Sequence, residues 1–429
     1  MKRLLLTALL ILVTASSSLA IEEVSKVYLD EAIDVALKNN LDLKAAQINV
    51  GIAKHEIKSA NRLQNPSIDT FYFMGGEANS EPRQIGISQN IEIAKRKARK
   101  KLAESKYSLV EKSVDYTAFD LKMDVREAYV ELVAAKSVLD TLEQQKELQE
   151  ELLSIAKSRT SKKEASSIDA IQVEIVLNQL NTQVNTARVN VKSALFNFNK
   201  IINTPDDIIY DSKDNIFLEE NNYKEMDTPP PTHKFPEVSE IIKKGLKNRY
   251  DIKIAEQELD IAEKNLSVVT RQRVPDLALT GGYAYKTGHY SDSGHFNSGA
   301  YAGASLVNIP LFYNYLPEIQ AAMMKVEQAR LNVQSVKNKA TKDIRVAYEK
   351  FLTAAENLIQ YENKIISDSE RLIDLSMDSY EDGVSDITAI IVMKQSYKSI
   401  IVGYTYALAE YYNSWTDFLR EVNDEDFDL

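Results

Sequence analysis

The chain has 429 residues, more than one compact core ordinarily serves, so its length points to two units or one elongated body. Acidic residues outnumber basic ones 63 to 52, a net charge of −11 that becomes −13 once Lys2 and Arg3 leave with an export signal; a surface of that sign excludes a nucleic-acid partner. Cysteine is absent, so packing and assembly rather than disulfides must hold an exported chain together, and lipidation on an N-terminal cysteine is excluded.

In chain order, residues 1–20 are expected to be a secretory signal. Met1, Lys2 and Arg3 give it a positive start, Leu4 to Val13 are apolar but too short for a stable membrane anchor, and Ser18-Leu19-Ala20 resembles a cleavage site. No later stretch of about 20 apolar residues exists, so the mature chain enters a membrane only as strands.

Residues 21–202 are predicted to form the first of two structural repeats. A helix near Asp30 to Gln64 stops at Pro66, which cannot continue it. A weak strand, Ser67 to Met74, is followed by a clear one in which Ile85, Ile87, Ile91 and Ile93 alternate with Gly86, Ser88, Asn90 and Glu92, a period of two. The polar segment Gly75 to Arg83 joins them as a hairpin tip. From Arg96 to Arg159 neither proline nor glycine interrupts the chain, which predicts a helix of about 64 residues and about 95 Å. It turns at Ser161 to Ser167 into a return helix of about 35 residues. Residues 203–236, with Pro205, Pro229, Pro230 and Pro231 among acidic neighbours, read as an irregular connection between repeats.

The second repeat, 237–420, follows the same plan. It comprises a helix near Glu237 to Arg273, strands in which Leu277, Leu279, Tyr283 and Tyr285 alternate with small or polar residues, a tip over Thr287 to Asn297, and a partner strand over Ser298 to Ile309. Pro317 opens an uninterrupted run to Asp382, and Gly383 to Asp386 turn it into a second return helix; residues 421–429 are a tail. The duplication is legible residue by residue. Ala36 to Lys44 answers Gly245 to Lys253 and Pro66 answers Pro275 at an offset of 209; Asp124 to Tyr129 answers Asp343 to Tyr348, and Ile168-Asp169-Ala170 answers Ile387-Thr388-Ala389, at 219.

Two stripes predict coiled-coil seams. Ala340, Ile344, Ala347, Phe351, Ala354, Leu358, Tyr361 and Ile365 keep a four-three spacing, and Leu102, Leu109, Tyr116, Met123 and Val130 recur every seven. Since two short helices match one long one in each copy, the termini and the connection are expected around the middle, or equator, of a rod. The four predicted strands cannot stand alone in lipid, because an open sheet leaves two edges of unpaired N–H and C=O groups. Two chains would close about eight strands and three chains about twelve; elementary physics leaves dimer and trimer open, and three gives the wider lumen.

No catalytic or metal-binding constellation is found. His55, His233, His289 and His295 read as loop or surface residues, Met323-Met324 as packing, and no HExxH, GxSxG or Walker sequence occurs; the expectation is no enzyme, no cofactor and no metal. A periplasmic coiled-coil adaptor or scaffold that never enters the membrane is the alternative, and the strands are what discriminate against it.

The order helix, Asn65-Pro66-Ser67, hairpin, long helix, return helix, and then all of it again through Val274-Pro275-Asp276, Ile309-Pro310-Leu311-Phe312 and Tyr380-Glu381-Asp382-Gly383, resembles the TolC family of outer-membrane efflux and secretion ducts. The resemblance implies a mainly α protomer with a β-barrel portion. It further implies a homotrimer with a 12-stranded barrel in outer-membrane lipid and a helical tunnel in the periplasm, docked to an inner-membrane transporter through a periplasmic adaptor, or membrane fusion, protein. On that reading the two helical turns close the periplasmic mouth. Arg159, Lys162 and Lys163 at the first turn would pair with Asp378, Glu381, Asp382 and Asp386 at the second, beside Tyr380 and Gly383. The chain departs from the family at Ala389 and Val392, where members often carry acidic residues, and at Glu164, which stands where the second copy has Gly383.

Overall fold

The computed structural model describes residues 23–72, 82–162, 166–203, 208–213, 236–285, 298–381 and 387–424. The expected signal, most of the first strand-hairpin tip, all of the second, residues 425–429 of the tail and most of the connection lie outside them.

Each repeat carries the same series. In the first, α1 (Leu29–Asn39), α2 (Leu41–Ala60), β2 (Ser67–Tyr72), β3 (Pro82–Ile91), α3 (Lys95–Ser161) and α4 (Ser167–Ile202) follow one another. In the second, α5 (Val238–Asn248), α6 (Tyr250–Thr270), a 3₁₀ turn (Arg271–Arg273), β5 (Asp276–Ala284), β6 (Gly299–Val307), α7 (Leu316–Gln360), a π turn (Tyr361–Ile365), α8 (Ile366–Glu381) and α9 (Ile387–Val422) do so. Two strands were not expected. β1 (Glu23–Val27) pairs in parallel with β4 (Ile208–Ser212), so the described residues hold six strands rather than four, and the connection is not wholly irregular.

The opening helix of each copy is broken in two. Asn40 and Arg249 have ψ of 123° and 128°, outside the helical range, so each restarts the helix in a new direction. The break is held alike in both copies. Asn40 Nδ2 donates to the Ile201 carbonyl at 3.4 Å, and Arg249 donates to the Glu421 carbonyl at 3.1 Å, each at the end of the return helix. Those return helices end alike too, on Asn203 and Asn423 with φ of 57° and 54°, the left-handed cap that asparagine tolerates.

By contacts the chain divides into two units. The first, Leu41–Met123, Pro229–Asn357 and Tyr411–Leu429, contains the four-stranded sheet and a core in which Phe119, Met123, Ile241, Ile344, Phe351 and Phe418 are buried. Phe351 stacks on Tyr411 with ring centroids 5.4 Å apart and meets Trp415 at 5.2 Å. A β-carbon on Gly245 would come within 2.5 Å of Ile344 Cδ1 and oblige that buried side chain to shift; Ala36 fills the matching place in the first copy. Arg249 is buried against the carboxylates of Asp251, at 2.7 Å, and Glu421. Burial alone would lower its pKa, but the bonds to Asp251 and the charge of Glu421 outweigh that and leave it raised.

The other unit, Met1–Asn40, Asp124–Thr228 and Leu358–Glu410, holds the β1/β4 pair. The pair is clamped to helices: Lys136 meets Asp211 at 2.5 Å, Tyr129 donates to the Val27 carbonyl at 3.3 Å, and Asn199 donates to and accepts from the Tyr210 backbone at 2.8 Å.

Both seams depart from the sequence pattern. On α3, Met123 and Val130 are buried as expected, but Leu102 and Leu109 are only partly buried and Tyr116 is 40 % exposed; toward the strands the buried row is instead Ala98, Ser105 and Phe119. That row is partly polar: Gln257 on α6 is buried and donates to Ser105 Oγ at 2.9 Å, so an apolar heptad could not reveal it. On α7, Ala340 to Leu358 are buried as expected, but the predicted continuous helix is interrupted by the π turn at Tyr361–Ile365. One extra residue in a turn advances every later position by one. Leu372 and Leu375, which would have continued the stripe, are therefore 48 % and 55 % exposed, and Ile366, Ser369, Ile373 and Ser376 face inward instead.

Candidate functional site

The four-stranded sheet has order β2-β3-β5-β6, all neighbours antiparallel, and among the described residues β2 and β6 each leave one edge without a partner. β3, β5 and β6 have ten, nine and nine residues, the length that crosses a bilayer's hydrocarbon when tilted.

Register sorts the side chains onto two unlike faces. Ile68 pairs with Ile87 and Thr70 with Ile85; Ile85 pairs with Tyr283 and Ile87 with Gly281; beyond them come Ala300, Ala302, Ala304 and Leu306. This face is almost wholly apolar and open: Ile68 is 73 % exposed, Ile87 58 % and Leu306 56 %. Its polar members are Thr70 and Gln89; Gln89 lies near a strand end and donates to the Gln64 carbonyl at 2.7 Å. The opposite face carries Asp69, Gln84, Ser88, Asn90, Thr280 and Ser305 among glycines and alanines, with Phe71, beside a bulge, and Val307, at a strand end, as apolar exceptions. Ser67 and Ser88 hydroxyls meet across it at 2.6 Å.

On that polar face Tyr301 lies against a glycine pair. A β-carbon on Gly86 would sit 2.3 Å from the Tyr301 hydroxyl, and one on Gly282 would sit 2.2 Å from the Ile85 carbonyl. Register places the three side by side on β3, β5 and β6, so the ring folds across its neighbours instead of standing off the sheet.

Ion pairs tie the strands to the helices. Lys95, at the start of α3, meets Asp276 at 2.7 Å, both buried, and Asn308 Nδ2 adds a bond to the same oxygen at 3.0 Å. Arg99 meets Glu92 at 2.8 Å and donates to the Ala60 carbonyl at 2.9 Å. The first turn of α3 has basic residues where the helix dipole favours acidic ones, and Glu92 and Asp276 supply the missing negative charge.

The helical turns are the second candidate region. Arg159 is half-buried, Lys162 and Asp378 are exposed, and Tyr380 and Glu381 end α8; Lys163, Asp382, Gly383 and Asp386 lie outside the described residues. Ser166 caps α4, its hydroxyl accepting from the Ile168 N–H at 3.2 Å. What joins the turns is apolar: Ile387, Ile390 and Ile391 at the start of α9 are buried with Leu152, Ala156 and Val173 of the first turn's helices. Sequence reasoning looked only at the charges and missed this cluster, although Ile387, Ile390 and Ile391 sit at helical spacing.

No helix among the described residues is long and apolar enough to cross a membrane, so the exposed apolar face of the sheet is the surface suited to lipid. No curated protein sequence matches the chain. Its fold is similar to those of the transmembrane channel protein CusC (TM-score 0.75, 13 % identity, 92 % of each chain), the Campylobacter jejuni outer-membrane channel CmeC (0.70, 18 %, 93 % of this chain and 87 % of that one) and the open-state Neisseria gonorrhoeae outer-membrane channel MtrE (0.71, 17 %, 92 % and 89 %). The family model for the outer membrane efflux protein matches residues 32–204 and 241–399, one span in each repeat. With a sheet built for lipid, a TolC-like fold and a family match over most of its length, the chain belongs to the outer membrane efflux protein family and is an outer-membrane channel protein.

Proposed function

We propose that three copies of this chain close their sheets edge to edge into one 12-stranded barrel, continued into the periplasm by a helical tunnel. The tunnel passively conducts cargo handed over by a periplasmic adaptor and an inner-membrane transporter, in a tripartite efflux or type I secretion system. The observation that carries this reading is the sheet: one exposed apolar face, one polar face and two open edges. Each unpaired backbone group would cost several kcal/mol in hydrocarbon, and identical neighbours remove that cost. An adaptor that stays in the periplasm has no use for such a face. The chain works as a conduit rather than an enzyme, with residues 1–20 as its export signal and repeats over 21–202 and 237–420.

The periplasmic mouth is assigned to the turns. Arg159, Lys162 and Lys163 face Asp378, Glu381, Asp382 and Asp386 of adjacent turns in the ring, with Tyr380 and Gly383 shaping the second turn. Each exposed pair is worth about 0–1 kcal/mol, and three-fold repetition biases the closed mouth by a few kcal/mol. Lys162→Glu with Lys163→Glu should raise single-channel conductance in planar bilayers; unchanged conductance would remove the ion-pair gate. The assembly is tested separately, by mass measurement of detergent-extracted protein from outer-membrane fractions. A monomer there would sink the barrel.

A further inference from the structure

A groove of about 620 Å³ lies within the unit that holds the β1/β4 pair, between α3, α4 and α9. That volume lies in the range of small-molecule sites. Its wall has an apolar part, with Leu142, Leu180 and Val402, and a polar part where Lys394 and Lys398 stand four residues apart on one face of α9. Lys398 Nζ donates to Gln183 Oε1 at 2.8 Å, and among the described residues neither lysine has a carboxylate within ion-pair distance.

Three bases shielded from water are neutralised by a close carboxylate, Lys95 by Asp276 at 2.7 Å, Lys136 by Asp211 at 2.5 Å and Arg249 by Asp251 at 2.7 Å, whereas the half-buried Lys112 donates to the Gln257 amide oxygen at 2.5 Å. Lys394 and Lys398 are half-buried and, among the described residues, have no ion-pair partner. Burial holds both ammonium groups below the usual lysine pKa, opposed at Lys394 only by the charge of Glu151. Placing two like charges so is unfavourable unless something negative joins them. Gln183 gives its carbonyl to Lys398 and, among the described residues, its amide N–H groups have no acceptor, so they can donate to the same newcomer.

We propose that this groove binds an organic anion, its carboxylate or sulfonate held between Lys394, Lys398 and the Gln183 amide, its hydrocarbon body on Leu142, Leu180 and Val402. The site stands independently of the barrel and the gate. The test is isothermal titration of the detergent-purified full chain with naphthalene-2-sulfonate and with its neutral analogue naphthalene-2-sulfonamide. The sulfonate should bind saturably at one site per chain, and the sulfonamide should not. The double variant Lys394→Gln, Lys398→Gln should bind at least about tenfold more weakly, the loss expected when charge-assisted bonds are removed. That variant should also unfold at a higher temperature, having lost two unneutralised charges. No saturable binding, equal affinity in the variant, or equal affinity for the neutral analogue would overturn the proposal. If the variant fails to fold, wild-type protein decides: the sulfonate should protect Lys394 and Lys398 from amine acylation, read by peptide mass spectrometry, and absence of protection would equally overturn it.

Discussion

At the scale of single residues, glycines and one arginine show how local geometry dictates identity. Gly282 cannot accept a side chain, because its β-carbon would strike the backbone of Ile85 and Gly86, which strand pairing holds in place. Gly282→Ala should therefore cost about 1–3 kcal/mol, seen as a lower thermal dissociation temperature of the purified channel. Gly51 is the contrasting case: it lies within α2 with nothing within 4 Å of its β-position, so Gly51→Ala should stabilise by about 0.5–1 kcal/mol in the same assay. Arg249 stands at the break between α5 and α6. Arg249→Met strips Asp251 and Glu421 of their counter-charge, and because those carboxylates are 36 % and 30 % exposed the cost should be about 2–3 kcal/mol, below that of a fully buried pair, in thermal unfolding followed by circular dichroism. The two helix breaks were not legible in the sequence. Ala36 to Lys44 and Gly245 to Lys253 carry no proline, and only contacts to carbonyls far along the chain, at Ile201 and Glu421, hold the bend.

At the scale of elements, the sequence located the four strands of the antiparallel sheet to within a few residues because period-two alternation and prolines mark them locally. The π turn was hidden for the opposite reason. Its five residues, Tyr361 to Ile365, continue the four-three stripe, and the extra residue is selected by what the turn meets. Tyr361 lies over Gly403, where a β-carbon would come within 2.8 Å of its hydroxyl, and its ring is 6.2 Å from that of Tyr404, whose hydroxyl donates to Glu362 at 3.3 Å. Deleting Asn363 removes the extra residue together with the turn that absorbs it, so it should restore an ordinary helix and leave the facing of α8 unchanged. With no native cysteine to interfere, Leu375→Cys is expected to react with a polar maleimide faster than Ser376→Cys in the parent and in the deletion variant alike. A lost or reversed order in the deletion variant would mean that the π turn does not absorb one residue.

At the scale of the whole molecule, the two faces of the sheet make opposite demands. Ile87→Lys places a charge on the apolar face and should cost about 2–4 kcal/mol at mid-bilayer, enough to deplete the protein from outer-membrane fractions. Ser88→Lys, one residue on and facing the other way, should leave membrane insertion intact and move ion selectivity toward anions in planar bilayers. Equal effects of the two substitutions would refute the assignment of faces. The sequence alone determined the duplication, the helix-strand order and the apolar alternation, because each is a short-range pattern read against one helical or strand period. Tertiary structure alone decided the β1/β4 pair, the polar seam at Ser105 and Gln257, the shift of the α7 stripe and the meeting of Ile387, Ile390 and Ile391 with Leu152 and Val173. Each of these joins residues far apart in the chain or turns on a single added residue, and a local period carries no information about either.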